Sequence, residues 1–261
     1  MTNFSLSNYK ITENIYLTNL NKFRSVGRLL SFNDIKNGKI IAKYDDEVDT
    51  YLALYQAHHA CKLDHDLNSI NWSWLLNENV SLFDWGSGPA VASLFFLEKM
   101  INHGFKVEVK NITLIEPSLV ALERGVNYLR SNGELLHLDD VNIETIHSTF
   151  NDIDDFPIEK NGLNIHFFSN VMDIHTFDLT KFSFNISKCC SGKNLFICNG
   201  PNYSSSIWRI NDFFQHLSKA SNANNISELK YIDQVYAYHL ISDRMRWINV
   251  KGYHKIFYIQ N

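Results

Sequence analysis

Proline and glycine are scarce in these 261 residues, four and eleven respectively, too few for long flexible linkers. No apolar run approaches the roughly 20 residues that span a bilayer. The opening MTNFSLSNYKITENIYL lacks the basic start and apolar core of a signal peptide. Cysteine is sparse too: Cys61, Cys189, Cys190 and Cys198 contain no CxxC pair for a zinc ribbon and are too few for a disulfide framework. Cys189 and Cys190 are adjacent, and a bridge between neighbours is strained. Reduced thiols in a cytoplasmic protein are therefore expected. Nor is there a basic excess. The formal net charge is −4, which disfavours a partner gripped by its phosphates.

What is present is an ordinary globular composition, 45% hydrophobic and 20% charged, enough for one large α/β domain with a substantial core. The first forty residues show no clear period and read as short helices or loops. DDEVDTYLALYQAHHACKL then opens with acids suited to a helix N-terminus and sets Val48, Leu52, Tyr55 and His59 at helical spacing. From Val80 apolar runs alternate with helical patterns. VSLFDW, NITLIE, NIETIHSTF, LNIHFFSNV and KNLFICNGP read as strands, with helices predicted over PAVASLFFLEKMINHG, PSLVALERGVNYLRSNG and SIWRINDFFQHLSKA. Such alternation predicts a mostly parallel, doubly wound sheet in a three-layer α/β/α sandwich. YIDQVYAYHL and GYHKIFYIQ, with no crossover helix between them, predict an antiparallel pair at one edge. Residues 1–79 are expected to pack on the core and line a substrate pocket, and 80–261 to form the ligand-binding domain.

The segment Asp84-Trp85-Gly86-Ser87-Gly88-Pro89-Ala90 ends a buried strand in an acid and opens a helix through a glycine-rich turn. Glycines there permit a tight turn and let a ligand approach main-chain N–H groups beyond the carboxyl end of a strand. A dinucleotide fingerprint would have a third glycine where Val91 stands, and the phosphate-gripping GxxxxGK[ST] pattern is absent.

D-x-G-x-G-x-A resembles the first motif of the class I (Rossmann-like) S-adenosylmethionine (SAM)-dependent methyltransferases, with Ala90 where that family often has glycine. The resemblance continues down the chain. Glu116, in Leu114-Ile115-Glu116-Pro117-Ser118, stands where the family's acid accepts hydrogen bonds from the ribose hydroxyls, for which a carboxylate is suited. Ser148 to Asp152, with Phe150 and Asn151, stands at the adenine position. Phe168 to Asp173, with Ser169 and Asn170, stands beside the methionine moiety and the acceptor. The resemblance thus implies SAM as cofactor, bound by Asp84, Gly86, Ser87, Gly88, Glu116, Pro117, Ser118, Phe150, Asn151, Ser169 and Asn170. A narrower similarity joins YLALYQAHHACKL, FDWGSGPAVAS and LIEPS to the methyltransferase-like ribosomal small-subunit assembly factors. This chain lacks their cysteine set and basic character, so their role is not carried over.

Methyl transfer from a sulfonium needs alignment more than acid–base groups, which makes catalytic residues hard to read. Asn170, Asp173 and His175 are the candidates; helix capping or surface polarity accounts for them equally well. Tyr51, Tyr55, His58, Asn199 and Tyr203 are candidate pocket residues, although an aromatic stripe at helical spacing more often packs a core. His58, His59, Cys61 and His65 offer ligand atoms on one helix, but no second cluster completes a tetrahedral set and no metal is expected. The expected function is methyl transfer to a small molecule or protein. An RNA methyltransferase or ribosome-associated factor, and a non-catalytic SAM-binding scaffold, are the alternatives; an NAD-dependent dehydrogenase is more distant.

Overall fold

Strand β1 (Asn79–Trp85) is buried along all but its first residue, as a strand covered on both faces must be. It lies at the centre of a seven-stranded sheet in the order β3-β2-β1-β4-β5-β7-β6. The computed structural model describes residues 10–25, 31–35, 39–105, 107–156 and 158–261. Strands β2 (Glu108–Ile115), β3 (Asn142–Ile146), β4 (Leu163–Ser169) and β5 (Lys193–Pro201) run parallel to β1. The last two, β6 (Ala223–His239) and β7 (Arg244–Gln260), form a hairpin in which β7 pairs antiparallel with β5. The sandwich and its antiparallel edge are as the alternation predicts.

Helices α2 (Asp45–Asn68), α3 (Val91–Asn102) and α4 (Leu119–Ser131) cover one face of the sheet, and α5 (Leu179–Cys189) and α6 (Ser204–Ala220) cover the other. The α5–α6 side is filled by a stack of rings. Trp85 lies flat on Phe168 at 5.5 Å and Phe196 on Phe257 at 4.8 Å. No described helix is long and apolar enough to cross a membrane.

Four elements differ from the sequence reading. The N-terminal segment contains one 15-residue helix, α1 (Ile11–Ser25), where short helices or loops were expected. It buries Ile11, Ile15 and Leu20 and is tied to α3 by Thr12, whose N–H and O–H both donate to Glu98. Helix α5 has no counterpart in the predicted set because KFSFNI alternates like a strand. Its helical state comes from Asp178, which accepts from the N–H groups of Thr180 and Lys181, and from burial of Phe182 and Ile186. Strands β6 and β7 each extend to 17 residues, well beyond their apolar cores, because each supplies the other's ladder.

Candidate functional site

At the carboxyl end of β1 the chain turns sharply. The N–H groups of Gly86 and Ser87 both donate to Ile115 O, at 2.8 and 3.0 Å, which fastens the turn to the end of β2. Gly86 has φ +64°, and a Cβ there would lie 2.5 Å from Val171 Cγ1, so both its conformation and its neighbour demand glycine. Gly88, φ +50°, is different. A Cβ on it would meet only Tyr51 Cε1, at 3.9 Å, so its bare face looks into open space. Ala90 also adopts the left-handed conformation, at φ 60° and ψ 31°, and is fully buried against Gly125 of α4. That contact explains why the position is small; the positive φ, which costs an alanine roughly 1 kcal/mol, explains why glycine would suit it.

Glu116 joins the turn to the next strand end. Its Oε2 accepts from Gly88 N–H at 2.9 Å and its Oε1 from Ser118 N–H at 2.8 Å. Burial pushes its pKa upward against these bonds. Ser118 caps α4 by accepting from Ala121 N–H, and its hydroxyl donates to Ala42 O at 2.6 Å. The segment before α2 is thereby drawn over the strand ends. On its other side Lys39 pairs with Asp173 at 2.9 Å.

Under this strap lies a cavity of about 340 Å³, a volume suited to a small organic ligand. Its wall runs from the glycine turn and Glu116, past Thr149 to Asn151 after β3, to Asn170 after β4, with Ile40, Ile41, Val48 and Tyr51 opposite. No family model matches the sequence, and neither does any curated protein. Among solved structures the chain is similar to a SAM-dependent methyltransferase from Aquifex aeolicus, at 12% identity and a TM-score of 0.51, over 83% of this chain and all of that one. It is equally similar, at 12% identity and TM-score 0.51, to the chain bound to the Trm112 methyltransferase activator in a Haloferax volcanii complex, over 83% of this chain and 95% of that one. This chain has the class I methyltransferase fold.

Within the methyltransferase fold, the cavity collects Gly86, Gly88, Glu116, Pro117, Ser118, Phe150, Asn151, Asn170 and Tyr51 from the candidates read in the sequence. The remaining candidates lie off its wall. Asp84 is 1% exposed and accepts from the N–H and O–H of Ser93, organising the start of α3. Ser87 is buried in the turn, and Ser169 donates to Asn199. Asn199 is fully buried on β5, where its amide donates to Asp66, and is off the cavity wall. Asp173 is held by Lys39 and by the Tyr203 hydroxyl, at 2.7 Å; Tyr203 and His175 are exposed. Tyr55 stacks beside Tyr51 at 5.6 Å, and burial lowers the pKa of His58 to about 4.

The strap residues Lys39, Ile40, Ile41 and Ala42, and Ile174, Thr176 and Phe177 after β4, were not foreseen; Val171, within the Phe168 to Asp173 stretch, is on the wall. Nothing periodic marks them, because they line the cavity as irregular backbone. The one usable signal was the apolar run just before the acids that open α2. Lys62 of α2 was also missed. It is 7% exposed, donates to Asn170 Oδ1, and is lowered to a pKa of about 8 by burial, partly offset by Asp173 and Asp66.

Asp84 makes the methyltransferase fold sensitive to pH. Burial raises its pKa to about 7, opposed by the Ser93 bonds and assisted by Glu116. Between the ordinary aspartate value of 3.8 and about 7, the unfolded chain has lost a proton that the folded chain retains. The contribution of Asp84 to stability therefore falls as pH rises through that window, by an amount on the order of a few kcal/mol, opposed below pH 6.5 by His58 and His166, whose burial lowers their pKa values to about 4. Asp84→Asn, which keeps an acceptor oxygen for Ser93, is expected to melt progressively higher relative to its parent as pH rises between pH 4 and 7. A difference that does not change with pH would assign the dependence to other groups.

Proposed function

We propose that this chain binds SAM in the strand-end cavity and transfers its methyl group to a small molecule or a protein side chain, acting in the cytoplasm. One observation carries the reading: the side chain of Glu116 and the bare face of Gly88 meet on the same wall, joined by a hydrogen bond. A buried carboxylate beside an open glycine suits a vicinal diol laid against main chain. Each Glu116 oxygen accepts one N–H and keeps a lone pair for a ribose hydroxyl. Phe150 and Asn151, on the wall after β3, would meet the adenine, and Asn170 and Lys39 would meet the methionine moiety. When bound, SAM supplies an electrophilic sulfonium methyl. Ile40 and Ile41 of the strap, with Val48 and Tyr51 of α2, would exclude water from it. Asn170, held by Lys62, is the polar group that would orient an acceptor, and Asp173 would act through Lys39.

The test is thermal unfolding with SAM, S-adenosylhomocysteine or NAD. Ligand at about a hundred times its Kd stabilises by roughly 2.7 kcal/mol, a rise of about 5–10 °C at this size. A rise with the first two and none with NAD is expected. No rise with either adenosyl compound would refute the reading.

A non-catalytic SAM-binding protein is the second reading, and a specific observation favours it. Besides Glu116, the titratable groups on the described wall are Lys39, Glu47 and Tyr51, and each is engaged. Lys39 pairs with Asp173, Glu47 accepts from the N–H groups of Lys43 and Tyr44, and Tyr51 bonds His59. Transfer of a labelled methyl group to a panel of small-molecule and protein acceptors separates the two.

A further inference from the structure

Helix α2 carries a second group of side chains, away from the cavity. Cys61 and His65 stand four residues apart and so share one helix face. The fold lays β6 against that face and brings Asp233 to them across 168 residues of sequence. His65 Nε2 lies 2.9 Å from Asp233 Oδ2. One ligand atom from each of Cys61, His65 and Asp233 falls within 4.8 Å of the other two. The sequence supplied the helical pair without the third ligand, because β6 is distant in the chain.

We propose that Cys61, His65 and Asp233 form a zinc-class metal site that clamps α2 to the C-terminal hairpin. The donor set of one sulfur, one imidazole nitrogen and one carboxylate oxygen suits a borderline-soft divalent cation. Around tetrahedral zinc such atoms sit roughly 3.3–3.8 Å apart, from bond lengths of about 2.0–2.3 Å. The His65–Asp233 contact need only open slightly and the thiol approach by a rotamer adjustment. The cation takes the place of the proton between Nε2 and Oδ2, that proton passing through solvent to His65 Nδ1, and Cys61 releases its thiol proton to solvent on binding. Thiolate and carboxylate then balance the divalent charge, so the closed site is neutral where it is buried. A water molecule completes the coordination from the partly exposed side, where the His65 and Asp233 side chains are 27% and 16% exposed.

Two further features support the site. His65 is stacked on Tyr231 with ring centres 3.9 Å apart, which holds the imidazole plane; Tyr231 lies two residues before Asp233 and so presents the same strand face. The surroundings are acidic. Asp64, three residues after Cys61, shares this helix face. Asp64 is engaged by Lys99 and Asn68, and Asp233 is the carboxylate with an oxygen within 4.8 Å of both other ligand atoms. The clamp would brace the helix that carries Tyr51 to the cavity and Lys62 to Asn170.

The experiment uses the full chain without a histidine tag, purified reduced, and is independent of SAM. Metal content is measured directly, and zinc sulfate and cobalt chloride are titrated into chelator-stripped protein. About one zinc per chain is expected, with a melting temperature several degrees higher than in the stripped protein. Cobalt should give a thiolate charge-transfer band in the near ultraviolet, lost in Cys61→Ser and retained in Cys189→Ser. Asp233→Asn, a change on a partly exposed side chain, should weaken zinc binding at least tenfold. Wild-type protein that takes up no zinc and melts unchanged with it, or a cobalt band that persists in Cys61→Ser, would overturn the proposal.

Discussion

Glu116→Ala is expected to abolish the rise in melting temperature that SAM gives the parent protein. The carboxylate would accept two ribose hydroxyls while already accepting two main-chain N–H groups. Hydrogen bonds to a charged group contribute about 1.5–3 kcal/mol each, so losing both weakens binding at least about 100-fold. The unliganded variant should change less. Two N–H groups lose their acceptor, but the cost of burying a carboxylate at 9% exposure is relieved as well. Glu116→Gln retains an acceptor oxygen without the charge and should bind with intermediate affinity. Calorimetric titration measures all three, and an alanine variant that binds SAM like the parent would remove Glu116 from the site.

Asp66→Ala is expected to be strongly destabilising, by roughly 3–5 kcal/mol, or on the order of 10 °C in melting temperature. Asp66 is completely buried on α2. It accepts from the Asn199 amide and from His254 Nδ1 at 3.0 Å, and His254 Nε2 meets the Ser227 hydroxyl at 2.9 Å. Removing the carboxylate strands two buried donors in the sheet interior. The damage should reach the cavity, since Asn199 O accepts from Asn170 N–H at 3.0 Å. SAM binding is therefore expected to weaken with stability, although Asp66 is not on the cavity wall. Chemical denaturation with and without SAM measures both. A variant as stable as its parent would mean that the network contributes shape but no net energy.

The parts of the site legible in sequence are those whose backbone requirements leave a residue signature. Gly86 and Gly88 are needed by a left-handed turn, and Glu116 and Asn170 end strands whose apolar runs mark them. Asp84 was readable as an acid at a strand end. Its neighbour Ser93 is nine residues on, and only the folded turn shows that the carboxylate is spent on the helix start. Tyr51 and Tyr55 look alike on a helical wheel, yet one lines the cavity and the other packs behind it against Phe32.

By itself, the sequence determined the alternation of strands and helices, the antiparallel edge, the glycine turn and the acid at the end of β2. These depend on periodicity and on local backbone conformation, which neighbouring residues dictate. The tertiary structure alone decided which polar side chains face the cavity, that residues 39–42 close over it, and that Asp66 meets His254 and Cys61 meets Asp233. Those depend on contacts between elements far apart in the chain, from 76 residues for Ala42 and Ser118 to 188 for Asp66 and His254, whose register is set by packing the whole sheet and leaves no mark in any one segment.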